Sequence, residues 1–186
     1  PILYCPIDSW FSRATAVKDR MVELNKTIGW KPESTGTGRF GKWLENLNDW
    51  NLSRSRFWGI PIPIWRTADG AEERCISSVE ELQTACEEAV AAGLMTHNPL
   101  ADFVPGDMSE ANYNSFDLHK HVVDTIVLKS ASGQPMHREP DLIDVWFDSG
   151  SMPYAQWHYP FENKEKIDEG RAFPADFIAE GVDQTR

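Results

Sequence analysis

Asn51-Leu-Ser-Arg-Ser-Arg-Phe-Trp-Gly-Ile-Pro-Ile-Pro-Ile-Trp65 is an extended segment in which large apolar side chains alternate with prolines. Alternation from Phe57 to Trp65 has the period of a β-strand. Pro61 and Pro63 supply no N–H to a ladder, so the segment is expected at a sheet edge or leading out of a sheet. Arg54 and Arg56 stand beside Phe57 and Trp58. That mixture of charge and ring face suits phosphate contact and base stacking, and equally suits an exposed strand whose arginines are simply solvated.

Upstream, Asp49 and Trp50 lead into this strand from a predicted short helix that places Phe40, Trp43, Leu44 and Leu47 on one face. A Gly/Ser/Thr loop over Ser34 to Gly38 is expected before it. A longer amphipathic helix precedes the loop, with Ala14, Val17, Met21, Leu24 and Ile28 at helical spacing and Gly29 as its stop, and a short apolar strand covers Ile2 to Cys5.

Downstream the composition changes at Arg66, as for an insertion. Asp69-Gly70 is a hairpin turn, and Ser78 followed three residues later by Glu81 is a capping box. The helix it opens buries Val79, Leu82, Ala85, Cys86, Ala89 and Val90 and ends at Gly93. Asn98 to Asn114 is expected as loop and Val122 to Leu128 as strand, joined through Ser132-Gly133 to the next segment. The last third holds two predicted strands, Leu142 to Phe147 and Asp176 to Glu180, separated by an aromatic loop from Met152 to Phe161 and a charged stretch from Glu162 to Arg171. Glu180 to Gln184 then have no following helix to support them, which is expected of a piece of something longer.

The 186 residues are 41% hydrophobic and 25% charged, a globular balance for about one domain of 100 to 200 residues. No apolar run reaches the length of a membrane span, and no signal-like leader opens the chain. A cytoplasmic setting is expected, and three scattered cysteines fit its reducing conditions. The net charge of -11, from 29 acidic and 18 basic side chains, argues against a free-standing nucleic-acid binder.

Ligands of open α/β sheets sit beyond the carboxyl ends of strands, which singles out Asp144, Asp148, Glu180, Asp183 and Gln184. A carboxylate there can hold an amino group or a ribose hydroxyl, Gly181 permits close approach of a ligand, and Trp146 can wall an apolar pocket. As ordinary structure, the same aspartates cap turns, Glu180 is solvated and Trp146 is core. Eight tryptophans on an acidic chain also admit a carbohydrate hydrolase with paired carboxylates, or a non-catalytic interaction module with an aromatic face. His119-Leu-His121 is the one close pair of metal-ligand type, with no cysteine near it, so no metal site is read. Self-contained dinucleotide, Walker-type or α/β-hydrolase chemistry finds no support in a GxGxxG, P-loop or GxSxG motif.

The Asn51 to Trp65 stretch resembles the segment following the editing domain in class I aminoacyl-tRNA synthetases for branched aliphatic amino acids. Asp144-Val-Trp-Phe-Asp-Ser-Gly150 and Asp176-Phe-Ile-Ala-Glu-Gly-Val-Asp-Gln-Thr-Arg186 are similar, in the expected order, to two catalytic-core blocks of isoleucyl-tRNA synthetases. Gly38-Arg-Phe-Gly-Lys-Trp-Leu44 looks like the helix before the arginine strand. Valyl enzymes usually carry Thr after the first Asp of the Trp-Phe block and Ser in place of Asp148. Asp117-Leu-His-Lys120 and Ser151-Met-Pro-Tyr-Ala155 look like the eukaryotic-type branch.

The resemblance implies an α/β fold, part of a Rossmann-like class I synthetase catalytic core with an α+β insertion. Residues 1–66 would be the core segment returning from the editing domain, 67–138 a connective insertion, and 139–186 the core segment with the adenylate-site strand. Trp146 would line the isoleucine pocket and Glu180 contact the aminoacyl-adenylate, with Gly181, Asp183 and Gln184 against its aminoacyl and adenosine portions. Isoleucine, ATP with Mg2+ and tRNA(Ile) would be the ligands of the full-length enzyme. The His-Ile-Gly-His and Lys-Met-Ser-Lys-Ser signatures are absent here, so this chain alone is expected to be inactive. Some relatives bind zinc through cysteine pairs in the insertion. Cys75 and Cys86 stand eleven positions apart, so zinc is not expected.

Overall fold

The computed structural model describes residues 2, 3 and 5–181. It divides into two compact units, one made of Pro1–Leu52 with Trp146–Arg186 and the other of Ser53–Val145.

The Ser53–Val145 unit is built on a four-stranded antiparallel sheet of β4 (Ile64–Thr67), β5 (Glu73–Cys75), β6 (Val127–Lys129) and β7 (Pro135–Arg138), ordered β5-β4-β7-β6. Trp65 pairs with Arg74 on one side and Arg138 on the other, so β4 is an interior strand. The expected sheet-edge position therefore applies to the prolines and not to the strand they introduce. Pro61 makes an isolated bridge to Leu142, and the Pro63 carbonyl accepts from Ile76 N–H at 2.8 Å. Pro63 contributes its carbonyl, and Pro61 sits in a bridge whose bonds are made by its neighbours Ile60 O and Ile62 N–H, so neither proline's missing amide costs a ladder bond.

The Asp69-Gly70 turn closes the β4–β5 hairpin with Gly70 at φ 68. Gly133 at φ 86 serves the β6–β7 hairpin in the same way. Positive φ at these turns is open to glycine without steric cost.

Helix α3 (Val79–Ala91) lies against β6, with Leu82, Ala85, Cys86 and Ala89 buried. Ser78 Oγ accepts from Glu81 N–H at 3.0 Å, and the Glu81 carboxylate accepts from Ser77 N–H at 2.9 Å, one residue earlier than a standard capping box. At the other end Gly93, φ 75, donates to Val90 O and Leu94 donates to Ala89 O, the two bonds of a Schellman motif. Ser78→Ala should lower the stability of this unit by about 1 kcal/mol through loss of the cap, read as an earlier urea midpoint with an unchanged slope.

The core gathers around Trp65, whose indole N–H donates to Ile126 O at 3.0 Å, together with Leu100, Val123, Leu128 and Met136. Burial pushes the Cys86 thiol up to about 11, with the Glu87 charge adding to it. Arg138 crosses the core edge with its side chain fully covered. It donates from Nε to Asp124 at 2.7 Å and from Nη1 to Ile62 O and Asp141 O at 3.1 and 3.0 Å.

Several expectations fail locally. Val122 to Leu128 is not one strand: Lys120–Val123 is a helical turn, α5, and only Val127–Lys129 pairs. The β-branched run misleads because Val123 and Ile126 reach the core from a turn, where burial outweighs propensity. The Asn98 to Asn114 loop contains α4 (Glu110–Tyr113), capped by Ser109. Buried Asn112 donates there to Val104 O and Asp107 O and accepts from Val104 N–H, tying a polar loop shut.

In the other unit, α1 (Lys18–Asn25) follows a single 3-10 turn at Ala14–Val17, and α2 (Phe40–Glu45) follows a π-helical turn at Thr35–Arg39 where a loop was expected. Ile2, Leu3 and Cys5 are irregular. The first pairing is instead β1 (Phe11–Ser12) with β2 (Trp50–Asn51). The predicted strand Leu142 to Phe147 shrinks to β8 (Leu142–Ile143), which pairs within the other unit with β3 (Ser53–Arg54). Trp146 and Phe147 open a helix, α6 (Trp146–Ala155), and a short α7 (Lys164–Asp168) follows. Asp176 to Glu180 forms no strand, and Phe177 and Ile178 are exposed. An extended segment becomes a strand only when a neighbour satisfies its amides, and none pairs with it among the described residues.

Candidate functional site

Two of the motifs singled out in the sequence meet at one ion pair. Arg54 on β3 and Asp144 just after β8 are brought together by the antiparallel register Ser53↔Ile143 and Arg54↔Leu142. Arg54 Nη2 donates to Asp144 Oδ2 at 2.5 Å, and Asp144 is buried. Ile143 N–H to Ile60 O at 2.7 Å and Ile62 N–H to Asp141 O at 3.2 Å extend the contact, so the entering and leaving strands of this unit are fastened side by side. A charge-assisted bond to a desolvated carboxylate fixes geometry more firmly than an exposed pair. Arg54 is thus paired with Asp144 while its side chain stays 34% exposed. The only signal in the sequence was one charge of each sign, each next to a short strand.

Close by, Trp58 stacks on His119 with ring centroids 4.0 Å apart, and His121 lies 6.4 Å beyond. Asp117 accepts from His119 N–H at 2.8 Å and contacts the His119 ring at 2.7 Å and the His121 ring at 3.4 Å. Those bonds hold its carboxyl below the ordinary range, the His119 backbone N–H first among them. Lys120 donates to Pro140 O. The Asp-Leu-His-Lys block is thereby pinned to the arginine strand's Trp-Gly turn, a link that sequence spacing does not reveal.

Of the predicted ligand residues, Trp146 stands at the first position of α6, half exposed, with Asp148 in the same turn. Glu180 and Gly181 lie in an irregular, exposed segment. Asp183 and Gln184 are outside the described residues. Trp146, Glu180 and Gly181 belong to one unit, while Asp144 belongs to the other.

Gly36-Thr-Gly38-Arg-Phe-Gly41 does spell GxGxxG, and with Lys42 it fits all of a P-loop but the Ser/Thr, here Trp43. Nucleotide-loop chemistry is therefore set aside by the structure and not by spacing. Gly36 and Gly38 lie in the π-helical turn and Gly41 in α2; a Cβ on Gly36 would meet Trp30 Cδ1 at 2.1 Å and one on Gly41 would meet Gly36 O at 2.4 Å, while one on Gly38 would meet nothing within 4 Å. Asn25 ties the packing together, donating to Gly36 O and accepting from Trp30 Nε1. Gly36 and Gly41 thus serve close packing between neighbouring segments and not the approach of a phosphate.

Residues 3–186 match the family model for tRNA synthetases class I (I, L, M and V). Similar curated proteins are the isoleucine–tRNA ligases of Bacteroides fragilis, 70% identical over 188 residues, and of Porphyromonas gingivalis, 68% identical over 186. That of Chlamydia abortus is 45% identical over 186. Each alignment covers 100% of this chain and 15 to 16% of the relative. The chain therefore spans about a sixth of the length of the curated relatives it matches. These matches give no support to a carbohydrate hydrolase or a free-standing interaction module.

Proposed function

The chain belongs to the tRNA synthetases of class I (I, L, M and V), and we propose that it is an internal segment of an isoleucine–tRNA ligase, following the editing domain, of the eukaryotic-type branch. The observation that carries this is identity of 70% along the full chain with a protein of that activity. Asp148 in the Trp-Phe block agrees, as does the joining of that block to the arginine strand through Arg54 and Asp144.

In this reading residues 1–66 and 139–186 contribute to a Rossmann-like catalytic core, and 67–138 are a connective α+β insertion. The parent enzyme takes isoleucine, ATP as its Mg2+ complex and tRNA(Ile), and works in the cytoplasm. An isoleucine carboxylate oxygen bonds to the α-phosphorus of ATP as pyrophosphate leaves, and a tRNA hydroxyl then takes the aminoacyl group with release of AMP. Trp146 walls the isoleucine side chain. Glu180 and Gly181 hold the adenylate, joined by Asp183 and Gln184. A zinc site in the insertion does not fit the donors present, since Cys86 is in the core with a raised thiol pKa and Cys75 is exposed on β5.

One wall of this kind separates isoleucine from valine by only about 1 to 3 kcal/mol, the value of a methylene, so a separate editing activity is needed. The expected result is isoleucine-dependent ATP–pyrophosphate exchange by the full-length parent and none by the 186-residue chain. Exchange driven by leucine, methionine or valine in preference to isoleucine would overturn the substrate assignment. Exchange by the short chain would overturn its dependence on residues elsewhere.

A further inference from the structure

The two units differ in how much apolar surface they cover. Ser53–Val145 holds a continuous core around Trp65, Leu128 and Met136, whereas among the described residues of the other unit Leu44 and Leu47 are the buried apolar side chains. There α1 has eight residues and buries none, and α6 buries none and carries Pro153 inside it. The β1–β2 pairing is two residues long. Meanwhile Leu3 is 92% and Phe177 83% exposed, and Phe11, Val17, Ile28 and Trp146 are all more than half exposed.

Helices this short and two-stranded pairings are marginal in water without a packed face, because ordering the backbone costs entropy that only burial offsets. A patchwork of exposed large apolar side chains on that scale marks an interface. The Ser53–Val145 unit also exposes Phe57, Trp58 and Val145, but it does so around a continuous buried core, and its two ends are already pinned by β3–β8 and the Arg54–Asp144 pair.

We infer that folding autonomy is split within this chain: Ser53–Val145 folds by itself, whereas the apolar surface of the other unit is an interface for the remaining polypeptide of the synthetase and orders only against it. The inference rests on the functional reading for the identity of that polypeptide. The occupant follows from length, since relatives matching all of this chain are about six times longer, leaving ample covalently attached surface to cover it.

The test is amide hydrogen exchange, followed by mass spectrometry, on the 186-residue chain and on the full-length parent. Peptides from residues 53–145 are expected to be slowed at least about 100-fold relative to unstructured peptide in both proteins. Peptides from residues 14–28 and 146–170 should exchange within about 10-fold of the unstructured rate in the short chain and slow at least about 100-fold in the parent. Equal protection of those peptides in a monomeric short chain would overturn the inference. Protection accompanied by a doubled mass in light scattering would also overturn it, by making a second copy the occupant. Isoleucine activation is measured on the same parent preparation: the exchange contrast without activation sinks the functional reading alone, and activation without the contrast sinks this inference alone.

Discussion

Arg138→Met should destabilise the Ser53–Val145 unit by about 1 to 3 kcal/mol, the cost of removing a covered donor from its buried acceptors. The guanidinium is fully covered and serves Asp124, Ile62 O and Asp141 O together. Methionine fills much of the volume but takes a donor from Ile62 O, Asp141 O and Asp124, of which Asp141 O keeps the Ile62 N–H and Asp124 keeps Lys120 at 3.7 Å. Asp124→Asn leaves the fully covered guanidinium without its counter-charge, so it should cost at least as much, although Arg138 retains its two carbonyls. In a double-mutant cycle the combined loss should be smaller than the sum, since the second substitution removes a carboxylate that has already lost its arginine. Urea unfolding followed by far-UV circular dichroism measures all three variants. An Arg138→Met midpoint equal to that of the parent sequence would mean the pair holds nothing together.

In the full-length enzyme, Trp146→Ala should raise the Michaelis constant for isoleucine and narrow its advantage over valine by about 10-fold or more, since a loosened wall no longer rewards the extra methylene. Glu180→Gln keeps shape and removes the charge proposed to hold the adenylate. It should slow isoleucine activation while leaving the isoleucine-to-valine ratio nearly unchanged. Pre-steady-state activation with both amino acids separates the two signatures. Discrimination unchanged by Trp146→Ala would remove that residue from the pocket, and activation unchanged by Glu180→Gln would remove the other from the adenylate site, with the family assignment intact in either case.

Part of the structure was legible in the residues themselves. The capping box at Ser78, the glycine that ends α3, the Asp69-Gly70 and Ser132-Gly133 turns and the buried face of α3 all depend on neighbours within a few positions, and each stands where spacing placed it. The family, too, is written in the blocks around Arg54, Trp146 and Glu180. Elements that need a distant partner were not legible. Leu142 to Phe147 and Asp176 to Glu180 are apolar enough for strands, yet a strand exists only where another chain segment accepts its hydrogen bonds.

The site divides in the same way. Which residue types serve a carboxylate or an apolar wall is a matter of local chemistry, which admitted Trp146 and Glu180 among several candidates, and the resemblance to the synthetases is what assigned them roles. That Arg54 is bound to Asp144, 90 residues away, that Trp58 stacks on His119, and that Gly36 of the GxGxxG packs against Trp30 were decided only by tertiary structure. Hydrogen bonds and ring contacts act over a few ångströms of space whatever the separation along the chain, so local spacing determined the helix caps and turns, and only the folded chain determined which charge meets which.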